Sequence, residues 1–365
     1  MEETFIIRYD LALIGFGGVN RALAELINER CVELSRDFGL ALRVVAITDL
    51  RFGSLVQQEG IDLSTVLALS PEDGDFSQFR GGASELRNEW IIRSSSADII
   101  VEATLTNPVD GQPAVSHVRW GLEAGKHVCT SNKGSVAFQG NALTALAARH
   151  HVRFEFEGTV LSGTPIIRLA KQEFHGLSID RFEGILNGTS NYVLGRLEDG
   201  LSFGKAISEA QERGYAEADP EADIEGWDVR LKVVILANEV LHANLTPADV
   251  TCVGIAALTA QDFRDATSKG LRWKLIGSAR RDPDGRVDAS VAPVLLPADH
   301  PLAGLSGPTN AVAFHTDLLG DITVSGPGAG RTQTAYALLS DIIAIHEGRG
   351  GASLSVAPVE GTSVA

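Results

Sequence analysis

The sequence of 365 residues holds only three cysteines, Cys31, Cys129 and Cys252, with no Cys-x-x-Cys spacing among them. That leaves neither a disulfide framework nor the paired thiols of a structural zinc site, and it fits a reducing cytoplasm. Basic residues are scarce too: 31 Lys and Arg face 47 Asp and Glu, a formal charge of -16. Such a balance argues against a nucleic-acid or anionic-membrane surface and leaves small molecules as partners. No apolar run is long enough to cross a bilayer, and the opening Met1-Glu-Glu-Thr-Phe-Ile-Ile-Arg-Tyr-Asp10 lacks the order of an export signal. What remains is a globular composition and a length that allows two domains, each with its own core.

The N-terminal part reads as a nucleotide-binding half. Leu11-Ala-Leu-Ile14 is a buried strand, Gly15-Phe16-Gly17-Gly18-Val19-Asn20 a glycine turn, and Arg21 to Arg30 an amphipathic helix. This order lets a backbone turn approach a dinucleotide pyrophosphate resting on the helix N-terminus. Asn20 stands where the third glycine of the fingerprint is usual, which predicts looser packing of helix on strand. Such a turn also forms without a ligand, so other segments must decide. Leu42 to Thr48 is a second strand, and Asp49 at its end is placed to bind the adenosine ribose of NAD. Arg51 is equally suited to clamp the 2′-phosphate of NADP. The choice of cofactor stays open.

Strand and helix keep alternating. Ala97 to Val101 leads into Glu102-Ala-Thr104-Leu-Thr106-Asn107, a helix follows over 114–124, and Lys126 to Cys129 feeds Thr130-Ser-Asn132-Lys133-Gly134. The alternation predicts an α/β fold with a Rossmann-type, doubly wound parallel sheet over 1–151. Cys129 sits inside an apolar strand without a pairing histidine motif and is read as core rather than nucleophile.

From Val152 the pattern changes, predicting an α+β substrate-binding and dimerisation domain over 152–325. Val152 to Glu157 reads as a strand, Gly158 to Pro165 as a small-residue loop, and Phe182 to Tyr192 as strand, turn and helix. Segments starting at Arg272, Val287 and Asn310 complete an open mixed sheet with helices on one face, whose bare face predicts a homodimer. Gly326-Pro-Gly328-Ala-Gly330 then opens a helix, expected over 336–346, within a segment 326–348 returning to the nucleotide domain. Residues 349–365 read as a flexible tail.

The most telling segment is Ala210-Gln-Glu-Arg-Gly-Tyr215-Ala-Glu217-Ala-Asp-Pro-Glu-Ala-Asp223-Ile-Glu-Gly-Trp-Asp228-Val-Arg-Leu-Lys232. Asp219-Pro220 is a helix entry, with Asp as cap and Pro at the first helical position. Asp228 and Lys232 then stand i,i+4, a spacing that also makes ordinary surface ion pairs. Here, however, Lys232 lies within Leu231, Val233, Val234, Ile235 and Leu236, and a lysine covered by apolar neighbours needs a partner or a purpose.

Written Ala-x3-Gly-Tyr-Ala-x2-Asp-Pro-x2-Asp-Ile-x-Gly-x-Asp-x3-Lys, this segment resembles the signature of homoserine dehydrogenases. The Asn132-Lys133-Gly134 turn and the Asn187-Gly188-Thr189 element resemble the same family. The resemblance implies reversible, NAD(P)-dependent reduction of aspartate 4-semialdehyde to homoserine, in threonine and methionine biosynthesis. It implies Lys232 as proton donor, Lys133 and Asp228 beside it, and substrate contacts from Glu217, Asp223, Gly188, Thr189 and Tyr215. The cofactor would meet Gly15, Phe16, Gly17, Gly18, Val19, Asn20, Asp49, Arg51, Thr104, Thr106, Asn107, Asn132, Gly328 and Gly330. A sodium ion is implied on Glu157 and the carbonyls of Val160, Ser162 and Thr164. No C-terminal regulatory module follows, which predicts no threonine feedback through one. Two other readings stand beside this: a Rossmann oxidoreductase for a related amino or hydroxy acid, and a nicotinamide-binding regulatory protein without turnover.

Overall fold

In a computed structural model, residues 6–70, 72 and 74–348 are described; the expected tail at 349–365 lies outside them. The chain opens with β1 (Ile7–Ile14), α1 (Gly18–Glu29), α2 (Cys31–Phe38) and β2 (Leu40–Asp49). There follow β3 (Gly53–Val56), α3 (Leu63–Leu67), β4 (Gly82–Ala83), α4 (Asn88–Ser94) and β5 (Ile99–Glu102). Next come α5 (Ala114–Glu123), β6 (His127–Thr130), α6 (Lys133–Arg149) and β7 (Phe154–Glu155). These strands form one seven-stranded sheet in the order β4-β3-β2-β1-β5-β6-β7.

Its centre, from β2 through β7, is parallel, as the strand-helix alternation requires. Two features depart from the sequence reading. β3 and β4 add an antiparallel edge beyond β2, built from strands too short to announce themselves. The strand expected to open the substrate domain at 152 instead pairs through Phe154 and Glu155 with β6, so the first sheet extends past the boundary placed at 151.

The second sheet draws on β8 (Ile179–Ile185), then α7 (Gly188–Glu198), α8 (Phe203–Glu212), α9 (Glu221–Ile224) and α10 (Trp227–Val240). It continues with β9 (Thr251–Cys252), α11 (Ala260–Ser268), β10 (Leu271–Arg281), β11 (Val287–Pro297), β12 (Thr309–Thr316) and β13 (Gly320–Pro327). The order is β13-β12-β8-β10-β11-β9, antiparallel except where β9 joins β11. Helix α12 (Arg331–His346) starts five residues before the expected Tyr336. Its Ala335, Leu338, Leu339, Ile342 and Ile345 share a core with Leu11, Leu13 and Leu23 of β1 and α1. The chain thus returns to the first sheet.

Helix α10 is apolar on nearly all sides because it lies between α6 and strands β10 and β11. Its seat on the sheet is a glycine: a Cβ at Gly277 of β10 would stand 2.6 Å from Val233 and 2.8 Å from Val229. Through α6 and α10 one core cluster runs from Ile14, Ile100 and Val128 of the first sheet to Phe182, Leu275 and Val312 of the second. That shared core joins the two sheets through α6 and α10.

Candidate active site

In the first sheet the chain steps outward from β1 to β2 and then returns to β5 on the other side. The crevice at such a switch point, outside the strands' carboxyl ends, is where doubly wound sheets bind ligands. Gly15 ends β1 in the left-handed region (φ 81°), and a Cβ there would stand 2.9 Å from the carbonyl oxygen of Ala103. Only glycine lets the turn come so near β5. Gly17 caps α1, and Gly18 opens it with Val19 half-buried behind.

Two residues of this turn play other parts than expected. Phe16 faces inward, packed on Phe52 and Phe76, and its amide donates to Asp49 Oδ2 at 2.7 Å, so it shapes the turn rather than offering a free donor. Asn20 does not loosen the packing. Buried completely, its amide donates to Gly15 O at 2.6 Å and reaches Ile14 O and Val101 O at 3.4 Å, tying α1 to β1 and β5. A small polar residue here does by hydrogen bonding what a third glycine does by proximity.

Asp49 accepts on one oxygen from Phe16 and on the other from the Arg51 amide at 2.9 Å, while the Arg51 side chain is exposed. At the next strand ends, Thr104 is bonded to Glu102, and Asn132 donates to Thr104 O and Leu105 O at 3.1 and 3.2 Å. Thr106 and Asn107 continue the loop, Asn107 turning it by accepting from Val109 N at 2.9 Å. Gly328 lies directly on the buried Asn310 carboxamide, and Gly330 (φ 131°) caps α12. Sequence reasoning missed Arg331, whose side chain lies over Gly18: a Cβ there would meet its Cδ at 2.4 Å. The visible signal was a basic residue straight after the second glycine-rich turn.

Across the crevice, Lys133 at the first turn of α6 meets the start of α10. Lys232 Nζ stands 2.7 Å from Asp228 Oδ2 and donates to Leu186 O at 2.6 Å; Lys133 Nζ stands 3.4 Å from Asp228 Oδ1. Asn187 donates from Nδ2 to Asp223 at 2.7 Å and to Asp228 at 2.9 Å, while its Oδ1 caps α7 through Ser190 N. Gly188 is the residue that fits next, because a Cβ would stand 2.8 Å from Pro308 O. Thr189 donates to Tyr215 O at 2.6 Å. Glu217 is not drawn into the cluster; it lies exposed at the rim. The entry to α10 also differs from expectation. Asp219 does accept from Glu221 N, but α9 ends at Ile224, and Gly226 (φ 79°) turns the chain before α10 begins.

The electrostatics follow from these distances. Burial works against a charge on Asp228, yet Lys232 and Lys133 overcome it and hold the carboxyl well below the usual range. Asp223 goes the other way, pushed up by burial and then by Asp228 beside it. On acidification Asp223 therefore takes a proton first, and Asp228 stays ionised between two ammonium groups.

The expected cation loop is built differently from an open carboxylate. Glu157 accepts from Ile166 N, Ile167 N and Arg168 N at 2.7 to 2.9 Å, capping the turn that follows. Leu161 and Ser162 both take positive φ, and Ser162 and Thr164 bond to Thr334 and Pro327 O. Around it Asp341 pairs with Arg168 and is held well above its usual value by burial, and burial pushes Glu155 up to about 7. Arg168 thus pairs with Asp341 through its side chain and holds Glu157 through its backbone amide.

Comparison with known proteins identifies relatives over nearly the whole chain. Residues 165–343 match the family model described as homoserine dehydrogenase. An NAD(+)-dependent homoserine dehydrogenase of Pseudomonas canavaninivorans is 58% identical, over 93% of this chain and 96% of that one. The homoserine dehydrogenase of Methanocaldococcus jannaschii is 37% identical over 92% of this chain and 98% of its own. A hyperthermophilic archaeal homoserine dehydrogenase solved with NADPH superposes with a TM-score of 0.79 at 29% identity, over 94% of this chain and 98% of that one. With most of both chains aligned at such identity, this chain, whose two lysines gather on one half-buried carboxylate, belongs to the homoserine dehydrogenase family.

Proposed function

We infer that this chain interconverts L-homoserine and L-aspartate 4-semialdehyde with a nicotinamide cofactor, and that Lys232 moves the proton. The observation that carries the assignment is the set of bonds on Lys232. An ammonium has three hydrogens; Leu186 O and Asp228 Oδ2 take two, leaving one for a substrate oxygen. The nicotinamide supplies or accepts the hydride. Lys133 lies on the far oxygen of the same carboxylate, placed to stabilise an alkoxide beside Lys232. Asp223 and the rim carboxylate of Glu217 are the groups for the substrate ammonium, and Gly188 and Thr189 open a helix whose N-terminus suits its carboxylate. Tyr215, stacked edge-on against Tyr192 at 5.1 Å, closes that side. In this reading the first sheet with α12 holds the cofactor, and the second sheet carries substrate and subunit contacts.

Asp49 favours NAD over NADP. Its carboxylate stands where the adenosine ribose is bound in such sheets, and a 2′-phosphate would meet that charge. The relative at 58% identity bears the name NAD(+)-dependent. For the cation reading, Glu157 is a buried carboxylate that accepts from three backbone amides, and a monovalent cation on the 157–164 loop would offset its charge. The face of the second sheet away from α10 is only partly covered, by Leu302, Ala303 and Leu305, and leaves Val294 more than a third exposed beside the Ile185, Ile276 and Leu296 cluster, which suits a second copy of the chain. The free thiols of Cys31, Cys129 and Cys252 suit a reducing cytoplasm.

Four outcomes test these statements. Lys232→Ala is expected to lower kcat for homoserine oxidation by ~100- to 10,000-fold with a far smaller change in homoserine KM; an unaltered kcat removes Lys232 from the chemistry. Wild-type kcat/KM should be higher with NAD than with NADP, and Asp49→Ser should reduce that ratio by roughly tenfold; an unchanged ratio means another residue selects the cofactor. Replacing sodium and potassium salts by a bulky organic cation should lower the melting temperature and raise it again on adding sodium back. A melting temperature indifferent to the cation argues against the site. Light scattering should return twice the chain mass, whereas a monomer at micromolar concentration would refute the dimer.

A further inference from the structure

Beneath the carboxyl edge of the first sheet lies a carboxylate that the proposed chemistry does not use. Glu102, the last residue of β5, is wholly buried. A buried carboxylate is costly unless its oxygens are met. Its Oε1 accepts from the Thr104 hydroxyl and, at 3.2 Å, from the Thr104 amide. Its Oε2 accepts from the Thr130 hydroxyl, at the end of β6, at 3.0 Å. Among the described residues its one neighbour at ion-pair distance is His117, whose Nδ1 stands 3.4 Å from Oε1.

From each of these contacts a chain of bonds runs to an element of the site. Thr130 Oγ1 accepts the Asn132 amide at 3.0 Å. Asn132 donates to Thr104 O and Leu105 O, and its own Oδ1 accepts Gly134 N at 3.0 Å, capping the helix whose first residue is Lys133. On the other side, Asn88 Nδ2 lies 3.0 Å from His117 Nε2, and Asn88 Oδ1 accepts from Thr48 Oγ1 at 2.6 Å, one residue before Asp49. With Thr48 donating to the amide oxygen, Asn88 donates to Nε2, which leaves the His117 proton on Nδ1, facing Glu102. Three strand ends, β2, β5 and β6, are therefore linked through one carboxylate.

We infer that Glu102 is a positioning residue for hydride transfer: by holding Thr104 and Thr130 together it fixes the loop over 103–107 against the helix cap that aims Lys133. The inference rests on the homoserine dehydrogenase reading. It assigns a reason for an acid at a point with no substrate contact and no Lys or Arg partner among the described residues. Misplacement of about 1 Å between reacting groups slows an enzyme by up to ~100-fold. Asp223, proposed for the substrate ammonium, and Asn187, which holds it, share no bond with Glu102, so homoserine binding is spared.

The test is steady-state homoserine oxidation by the full chain as wild type, Glu102→Ala, Glu102→Gln and Thr130→Val, with thermal melts on each. Glutamine keeps the oxygen that Thr104 needs and turns an amide toward Thr130, whose hydroxyl already lies 3.1 Å from Glu102 O and can donate there instead. Glu102→Ala should lose roughly 10- to 100-fold in kcat while homoserine KM stays within about threefold, Glu102→Gln should recover most of kcat, and Thr130→Val should fall between. Wild-type kcat in folded Glu102→Ala, or a loss that Glu102→Gln does not relieve, overturns the role. Should Glu102→Ala fail to fold, Thr130→Val decides: an unchanged kcat overturns it. An inactive wild type would instead overturn the reading on which the inference rests.

Discussion

Everything in this molecule's site depends on one half-buried carboxylate, that of Asp228, lying between two lysines from different parts of the fold. Lys232 comes from the same helix, one turn on; Lys133 comes from the first turn of α6, at the edge of the other sheet. A carboxylate withdrawn from water is stable only when paired, and removing either partner leaves a charge uncompensated. The two lysines have the same need in reverse. The ion cluster consequently joins the facing surfaces of the two halves, and the two lysines hold the Asp228 carboxyl below its usual range against the effect of burial.

Packing prepares the ground for that cluster. Helix α10 can sink onto the second sheet because Gly277 offers no side chain, and α6 closes over its other flank. Lys232 is carried into the interior with its apolar neighbours, and its charge is met by Leu186 O and Asp228 rather than by solvent. Asn187 then joins Asp223 to Asp228, so the group proposed for the substrate ammonium and the carboxylate between the two lysines share one amide. Acid sensitivity should enter through Asp223, which burial and its neighbour push up, before it reaches Asp228.

Much of this was legible in the sequence because it rests on short-range spacing. Asp228 and Lys232 at i,i+4 within an apolar run, the glycine turn after an apolar strand, and Asp49 at a strand end each carry their geometry with them. What escaped were features set by distant parts of the chain. The role of Asn20 appears only when Val101 of β5 lies beside it, and Phe16 turns inward because Phe52 and Phe76 make a pocket for it. β7 was assigned to the wrong half because two residues of strand take their sheet from β6, not from their own pattern. β13 carries the alternating Asp321-Ile-Thr-Val-Ser325 and was missed, although its period was there to read. Arg331 reaches Gly18 across more than 300 residues of sequence, which no local spacing reveals.

The central claim, that Asp228 joins both lysines into one catalytic unit, is tested most directly by Asp228→Asn, measuring kcat for homoserine oxidation alongside NAD binding by the same protein. Asparagine keeps the shape and loses the charge. The account predicts a fall in kcat of at least ~100-fold with the NAD dissociation constant little changed, because no bond links Asp228 to the nucleotide turn. A kcat within a few-fold of wild type would contradict it.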